Sequence, residues 1–145
     1  MSRFAPMPDL EAVCARTLRD VGGMRAYSSI PSEPEWPLVV VRRLGGVPAV
    51  REKLDAAFIQ FDVWGGAKGD PPPQVSKSDV QQLADQARVL IFELEGMAFH
   101  YDPHHVFVSG VEDAGGMHWL PDPQTGRDRY EFSLRVYGST SRLES

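Results

Sequence analysis

Four histidines are the residues of this sequence whose types best suit metal binding or proton transfer. Three of them lie with Asp102 in the segment His100–His105, which reads HYDPHH, and His118 follows further along the chain. Imidazole nitrogens and carboxylate oxygens are ligands for zinc and other divalent ions. Adjacent histidines point to opposite sides of an extended chain, however, and the sequence lacks the helical H-x-x-x-H spacing of many metal sites. We therefore predict that this segment is a solvated turn and that it holds no metal.

Other catalytic arrangements are missing from the sequence as well. It contains no G-x-S-x-G, P-loop or dinucleotide-binding motif, and Gly45–Gly46 and Gly65–Gly66 are predicted to be plain turns. Asp62 has no second carboxylate at a useful spacing. The single cysteine, Cys14, excludes an internal disulfide, and its place on the apolar side of a predicted helix indicates a buried, reduced thiol. We predict that the protein is not an enzyme and has no catalytic residue, metal or cofactor.

The composition is that of one globular domain. The chain has 145 residues, of which 42% are hydrophobic and 24% charged, enough to bury a core of its own. Fifteen Lys and Arg residues against twenty Asp and Glu residues give a net charge of −5, which disfavours general phosphate binding. No apolar run has the length of a membrane span, and the first residues lack the apolar core of a signal peptide. We expect a protein made in a cytoplasm-like compartment with no membrane partner.

The longest amphipathic pattern in the chain predicts a helix from Ser78 to Gly96. Ser78 can cap its first turn, Gln81 stands where a capping box requires a partner, and Gly96 can close the helix in a left-handed conformation. The apolar residues recur at helical spacing and form one stripe: Val80, Leu83, Ala84, Ala87, Leu90, Ile91 and Leu94. A helix that is apolar on one side needs a sheet or another helix to pack against.

The remaining patterns predict a first helix and six strands. The helix runs from Asp9, its cap, to Val21, with Leu10, Val13, Cys14, Leu18 and Val21 on its apolar face. The strands are predicted at Arg25–Ile30, Leu38–Leu44, Asp55–Trp64, Val106–Glu112, Gly116–Leu120 and Arg129–Tyr137. The fold class is therefore α+β, a mostly antiparallel β-sheet flanked by two α-helices. Residues 1–8 are predicted to be a flexible arm, residues 9–137 the domain, and residues 138–145 a polar tail.

The strand Asp55–Trp64 has two unlike faces. Ala57, Ile59, Phe61 and Val63 alternate towards the predicted helix. The opposite face carries two large aromatic side chains among polar ones: Phe58, Gln60, Asp62 and Trp64. Such a mixture suits a partly covered surface, which favours contact with a partner. After this strand, Gly65–Lys77 is predicted to be an irregular connection because it holds three consecutive prolines and several glycines.

A set of short segments in fixed order resembles a known family. In sequence they are WPLVVVRRLGG, FIQFDVWG, the helix VQQLADQARVLIFEL, and HWLPDPQTGRDRYEFSLRV. Together they resemble the tail terminator proteins of long-tailed bacteriophages, especially those that infect actinobacteria. The resemblance extends roughly from Asp9 to Val136.

The resemblance implies a structural virion protein. Proteins of that family form a homohexameric ring that caps the tail tube, stops its polymerisation and offers the surface on which the filled head docks. The implied partners are copies of the same chain, the major tail tube protein and the head–tail connector or neck protein, while DNA passes through the channel without specific binding. The implied location is the head-proximal end of the tail in the virion, after assembly in the host cytoplasm. A net charge of −5 suits a ring through which DNA must slide.

A closed ring needs two different patches that meet between neighbours. The polar and aromatic face of Asp55–Trp64 and the basic turn near Arg127 are the predicted halves, and the Gly65–Lys77 loop is predicted to add ring or lumen contacts. The candidate contacts with the next subunit or the tube are Phe58, Gln60, Asp62, Trp64, Lys68, Asp70, Arg127 and Arg129. Three alternatives stay open: a neck or connector protein on the head side, a metal-binding module built on the histidines, and a host-encoded binding domain of similar fold.

Overall fold

Two helices lie against one face of a six-stranded sheet. The structure, a computed structural model, describes residues 9–48, 54–101 and 104–142 of the chain. The elements are the helices α1 (Leu10–Asp20) and α2 (Lys77–Phe92) and the strands β1 (Ala26–Tyr27), β2 (Leu38–Pro48), β3 (Asp55–Trp64), β4 (Ala98–Tyr101), β5 (His104–Trp119) and β6 (Arg129–Arg142). Their order in the sheet is β1-β2-β3-β6-β5-β4, and each neighbouring pair is antiparallel except β1 with β2. The predicted α+β class is confirmed.

The core lies between the helices and the sheet. Alternate residues of β3 and β6 face the helices, and Phe61 stacks on Phe132 with ring centroids 4.8 Å apart. The predicted inward face of β3 is confirmed, and β6 alternates in the same way, since the following residues are all buried: Ala57, Ile59, Phe61, Val63, Tyr130, Phe132, Leu134 and Val136. The two helices cover only this face, so the other face of the sheet carries no helix within the described residues.

The first helix begins where the sequence predicts. The Asp9 side chain accepts a hydrogen bond from the Ala12 backbone N–H at 2.9 Å, as an N-cap should. Val21, however, is 70% exposed, so its predicted place on the apolar face is wrong. The helix ends at Asp20, and the chain turns away before Val21 can reach the core.

The second helix begins earlier than predicted. Its cap is Ser76 rather than Ser78, and the box is completed by Asp79 rather than Gln81. The Ser76 hydroxyl accepts from the Asp79 N–H, and the Asp79 carboxylate accepts from the Ser76 N–H, each at 3.1 Å. An acidic residue at the third helical position can thus take the place of the Glu or Gln of the usual pattern. Gly96 has the predicted left-handed conformation, with φ of 84°, although the regular helix ends at Phe92.

A predicted turn and a predicted break between two strands are continuous strand instead. Gly45–Gly46 lies inside β2, where an irregularity shifts the pairing with β3 between Arg43 and Gly45. Gly46 has φ of 124°, and a Cβ there would lie 2.1 Å from the Ala56 carbonyl oxygen, so the close approach requires glycine. Ala114–Gly116 likewise lies inside one continuous strand, β5, whose pairing with β6 shifts at three places.

Other strands also differ from the predicted ones. β1 has two residues instead of six, and β6 continues to Arg142 through residues predicted to be a tail. β4, which the sequence pattern did not reveal, pairs with the start of β5. Residues 1–8, predicted to be an arm, and residues 143–145 lie outside the described part of the chain.

Candidate interaction surface

Two tryptophans and two arginines gather where β3 ends and β6 begins. Trp64 lies opposite Arg129 in the pairing of these strands, and the Arg129 guanidinium is 4.9 Å from the Trp64 ring centroid. Trp36, from the loop before β2, lies 6.5 Å from Trp64, and the Arg127 guanidinium stacks 3.8 Å from the Trp36 ring. A guanidinium over an indole face is a favourable cation–π pair. We call these four residues the arginine–tryptophan cluster.

Arg127 also fastens the loop that follows β3. Its guanidinium donates to both carboxylate oxygens of Asp70, at 2.8 and 3.0 Å, and to the Gly65 carbonyl oxygen at 2.9 Å. Asp70 in turn accepts from the Ala67 N–H at 2.9 Å. The hydrogen bonds from Arg127, together with that from Ala67, lower the pKa of Asp70 below its usual value. The Gly65–Lys77 loop is therefore held to the turn before β6 by a charged pair whose side chains are only 14% and 18% exposed.

A buried carboxylate lies next to the cluster on the outer face of the sheet. Asp62 is 2% exposed and accepts from the Arg42 guanidinium at 2.8 Å and from the Gln60 amide at 3.0 Å. The same Gln60 amide donates to Glu131 on β6 at 3.2 Å. The sequence offered Asp62 no second carboxylate, but the sheet supplies it with an arginine from the neighbouring strand. Its charge is thus compensated, as a buried carboxylate requires.

A cleft of about 370 Å³ opens between this carboxylate and the cluster. Its lining combines hydroxyl, apolar and charged groups: Ser28, Ser29, Ile30, Val40, Arg42, Asp62, Trp64 and Arg129. The buried indole N–H of Trp64 has no acceptor within the described residues. The cleft thus presents two cationic side chains, one anionic side chain and an aromatic ring. This combination suits contact with acidic or aromatic groups of another protein.

The predicted interface residues fall mainly on this surface. Six of the eight lie together: Gln60, Asp62, Trp64, Asp70, Arg127 and Arg129. Phe58 lies further along β3 opposite Arg135, and Lys68 is exposed in the loop. Since Arg127 and Arg129 stack on Trp36 and Trp64, the two predicted halves of a ring contact form one surface rather than two. Trp36 and Arg42 also belong to this surface, although the sequence pattern did not point to them as contact residues. A large aromatic side chain directly before Pro37, in a loop, was a signal that could have suggested Trp36.

The histidines are arranged differently from the predicted solvated turn. His100 on β4 and His105 on β5 are directly opposite each other, with ring centroids 5.5 Å apart. His118 lies far along β5, opposite Glu131. Asp102 and the side chain of His104 lie outside the described part. Among the described residues, no three His, Cys, Asp or Glu side chains come close enough to hold a metal ion.

Cys14 is fully buried within the core, as predicted. Burial, together with the nearby charges of Asp9 and Glu11, raises the pKa of its thiol far above the usual range. A thiol in that state is not a nucleophile, because only the thiolate reacts.

The comparisons add no relative to this picture. No family model matches the sequence, and no curated protein matches it significantly. None of the helices in the described ranges is long and apolar enough to cross a membrane.

Proposed function

We propose that this chain is the subunit of a tail terminator, a hexameric ring that caps the tail tube of a long-tailed bacteriophage and receives the head. The observation that carries the proposal is the outer face of the sheet, which no helix of the described residues covers, with its arginine–tryptophan cluster and cleft beside the end of β3. The ordered segments WPLVVVRRLGG, FIQFDVWG and HWLPDPQTGRDRYEFSLRV, which resemble that family, contribute Trp36, Trp64, Arg127 and Arg129 to this one surface.

The chemistry of the surface supports a contact function. Aromatic and arginine side chains are enriched at the centres of protein interfaces, where they bury a large area while still making polar contacts. Here both arginines stack on indole rings, which fixes their orientation before a partner arrives. Side chains that are already ordered lose less conformational entropy on binding.

A ring that joins the tail tube to the head also needs separate surfaces for these two partners. A groove of about 440 Å³ lies between the end of α1 and α2, on the helix side of the molecule. It is lined in part by Val21 and Val89, which are 70% and 51% exposed, and by Met24 and Leu90. An apolar groove on the helix side and a charged aromatic cleft on the sheet side are unlike surfaces, so they can receive two different partners, the tube and the head.

The test is electron microscopy of lysates from a virus whose copy of this gene is inactivated. We expect over-long, headless tubes beside DNA-filled heads, because nothing would stop polymerisation of the tube protein. Tails of normal length that fail to join heads would assign the protein to the neck instead. Intact, infectious virions would refute a role in the tail and the neck alike.

Complementation with matched variants then tests the surface. Ser29→Trp places a bulky ring at the cleft without removing any contact described above, and we expect it to fail to restore normal tails. Ser78→Trp makes the same change on an exposed position of α2 and should restore them. Equal activity of both variants, with both proteins folded, would exclude the cleft from the contact.

A further inference from the structure

Two long strands leave much of their outer edges without a partner strand in the described ranges. β1 pairs only with Val39 and Val40, so β2 is open from Val41 to Pro48. On the far side of the sheet, β4 pairs with β5 only as far as Phe107, and the turn after α2 bonds to Val108. The Glu95 carboxylate then accepts from the Val111 N–H at 3.4 Å, which leaves β5 open from Glu112 to Trp119. Open edges present backbone donors and acceptors to any strand that approaches.

The two open edges overlap in height across the sheet, from Arg42, which is level with Gly115, to Gly45, which is level with Glu112, whereas Gly46 is level with Val111, where β5 is already covered. One row of paired residues runs from Arg43 through Ile59 and Leu134 to Asp113. The next row runs from Gly45 through Phe58 and Arg135 to Glu112. Three antiparallel steps separate β2 from β5, so the two strands run in opposite directions. Copies related by rotation about an axis along the strands would bring these edges together in antiparallel orientation.

The charges of the two edges are opposite. Arg42 and Arg43 lie on β2, and Glu112 and Asp113 lie on β5. Arg42 is paired with Asp62, Arg43 with Asp55 and Asp113 with Arg88, yet the Arg42 and Asp113 side chains remain 47% and 52% exposed. Glu112 is exposed as well. Complementary charges at the rim of a contact select the partner and its register.

We propose that the open edge of β2 in one copy pairs, antiparallel, with the open edge of β5 in the next copy, so that the sheets of neighbouring subunits join. This inference rests on the ring proposed above and specifies how its subunits meet. The pairing is centred on the row of Arg43 and Asp113. The register shifts directly beside it, at Leu44 and Ala114, leave two neighbouring registers open to the contact. The contact is heterologous, because the β2 edge of one subunit meets only the β5 edge of its neighbour.

Cysteine cross-linking tests this pairing directly. Leu44 is 52% exposed on β2, and Glu112 is exposed on β5, while the native Cys14 is buried and gives little background. Side chains opposite each other on antiparallel strands have Cβ atoms about 4.5–5.5 Å apart, close to the range that a disulfide spans. The variants are Leu44→Cys with Glu112→Cys and, for a neighbouring register, Leu44→Cys with Ala114→Cys. They are oxidised with diamide in assembled rings, formed with the tube protein if necessary.

We expect at least one double variant to give a ladder of covalent multimers on non-reducing gels. Each single variant should stay monomeric, and a mixture of two single variants should stop at dimers. A control that pairs Gln82→Cys, exposed on α2, with Glu112→Cys should give no ladder. Efficient dimers of Leu44→Cys alone would overturn the inference in favour of a two-fold contact. Rings seen by microscopy without a ladder in either register would overturn it and leave the proposed function standing, whereas failure to form any ring would refute both.

Discussion

Removing the Arg127 guanidinium should destabilise the folded protein measurably. Arg127 makes three hydrogen bonds, two to Asp70 and one to the Gly65 carbonyl, and its side chain is 14% exposed. Exposed ion pairs contribute up to about 1 kcal/mol, and breaking a fully buried pair costs about 3–5 kcal/mol. This pair lies between those limits, so we expect Arg127→Met to lower the free energy of unfolding by about 2 kcal/mol. Methionine keeps much of the apolar contact with Trp36 and removes the charge.

Urea denaturation followed by tryptophan fluorescence measures this change. The matched control is Asp20→Asn, which breaks the Arg16–Asp20 pair on α1, where both side chains are more than half exposed. We expect the control to cost about 0.5 kcal/mol or less. If Arg127→Met costs no more than the control, the shielded pair does not fasten the loop and the reasoning is wrong.

The same pair should respond to acid. The pKa of Asp70 is lowered in the folded protein, so between the folded and unfolded pKa values the unfolded chain binds more protons. The stabilisation that the Asp70 carboxylate contributes is therefore present above the ordinary carboxyl pKa of about 3.9. It is lost as the pH falls through the lower pKa that Asp70 has in the folded protein. The wild type should lose more stability than Arg127→Met on acidification below about pH 4. Parallel pH profiles of the two proteins would contradict this assignment.

Three further predictions concern the core and the buried carboxylate. Arg42→Ala should destabilise the protein more than Asp62→Ala in urea denaturation. Arg42→Ala leaves the Asp62 carboxylate, which is 2% exposed, without its cation, whereas Asp62→Ala removes the buried charge itself. The reverse order would contradict this reasoning. Gly65→Ala should lower the free energy of unfolding by about 1–3 kcal/mol, since the added Cβ would lie 1.9 Å from Val80 Cγ2. The double variant with Val80→Ala should lose less stability than the sum of the two single variants. Simple additivity would exclude the clash. Cys14 should react with a thiol reagent only as fast as the protein unfolds, and rapid labelling in native buffer would show that it is accessible.

The sequence determined the elements whose pattern is local. β3 was predicted with its bounds and inner face because strict alternation over ten residues places every second side chain in the core. The Asp9 cap was predicted because a capping side chain bonds to a backbone N–H three residues away. The cap of α2 was misplaced by two residues because Ser76 and Ser78 are both competent caps, each with a possible box partner three residues later, and the helix uses Ser76 with Asp79.

Tertiary structure decided the features that join distant parts of the chain. Gly45–Gly46 and Gly115–Gly116 look like turns locally, but pairing with β3 and β6 keeps them inside long strands. Arg127 and Asp70 are 57 residues apart, and no spacing rule connects them. Their loops are brought together by backbone hydrogen bonds from the Gly65 N–H to the Asp128 carbonyl and from the Asp128 N–H to the Gly66 carbonyl. Asp62 finds Arg42 because register sets their strands side by side. The periodicity of apolar residues determines which face of a helix or strand is buried. The partner of a polar side chain depends instead on the register between strands that are distant in sequence, and this register exists only in the folded protein.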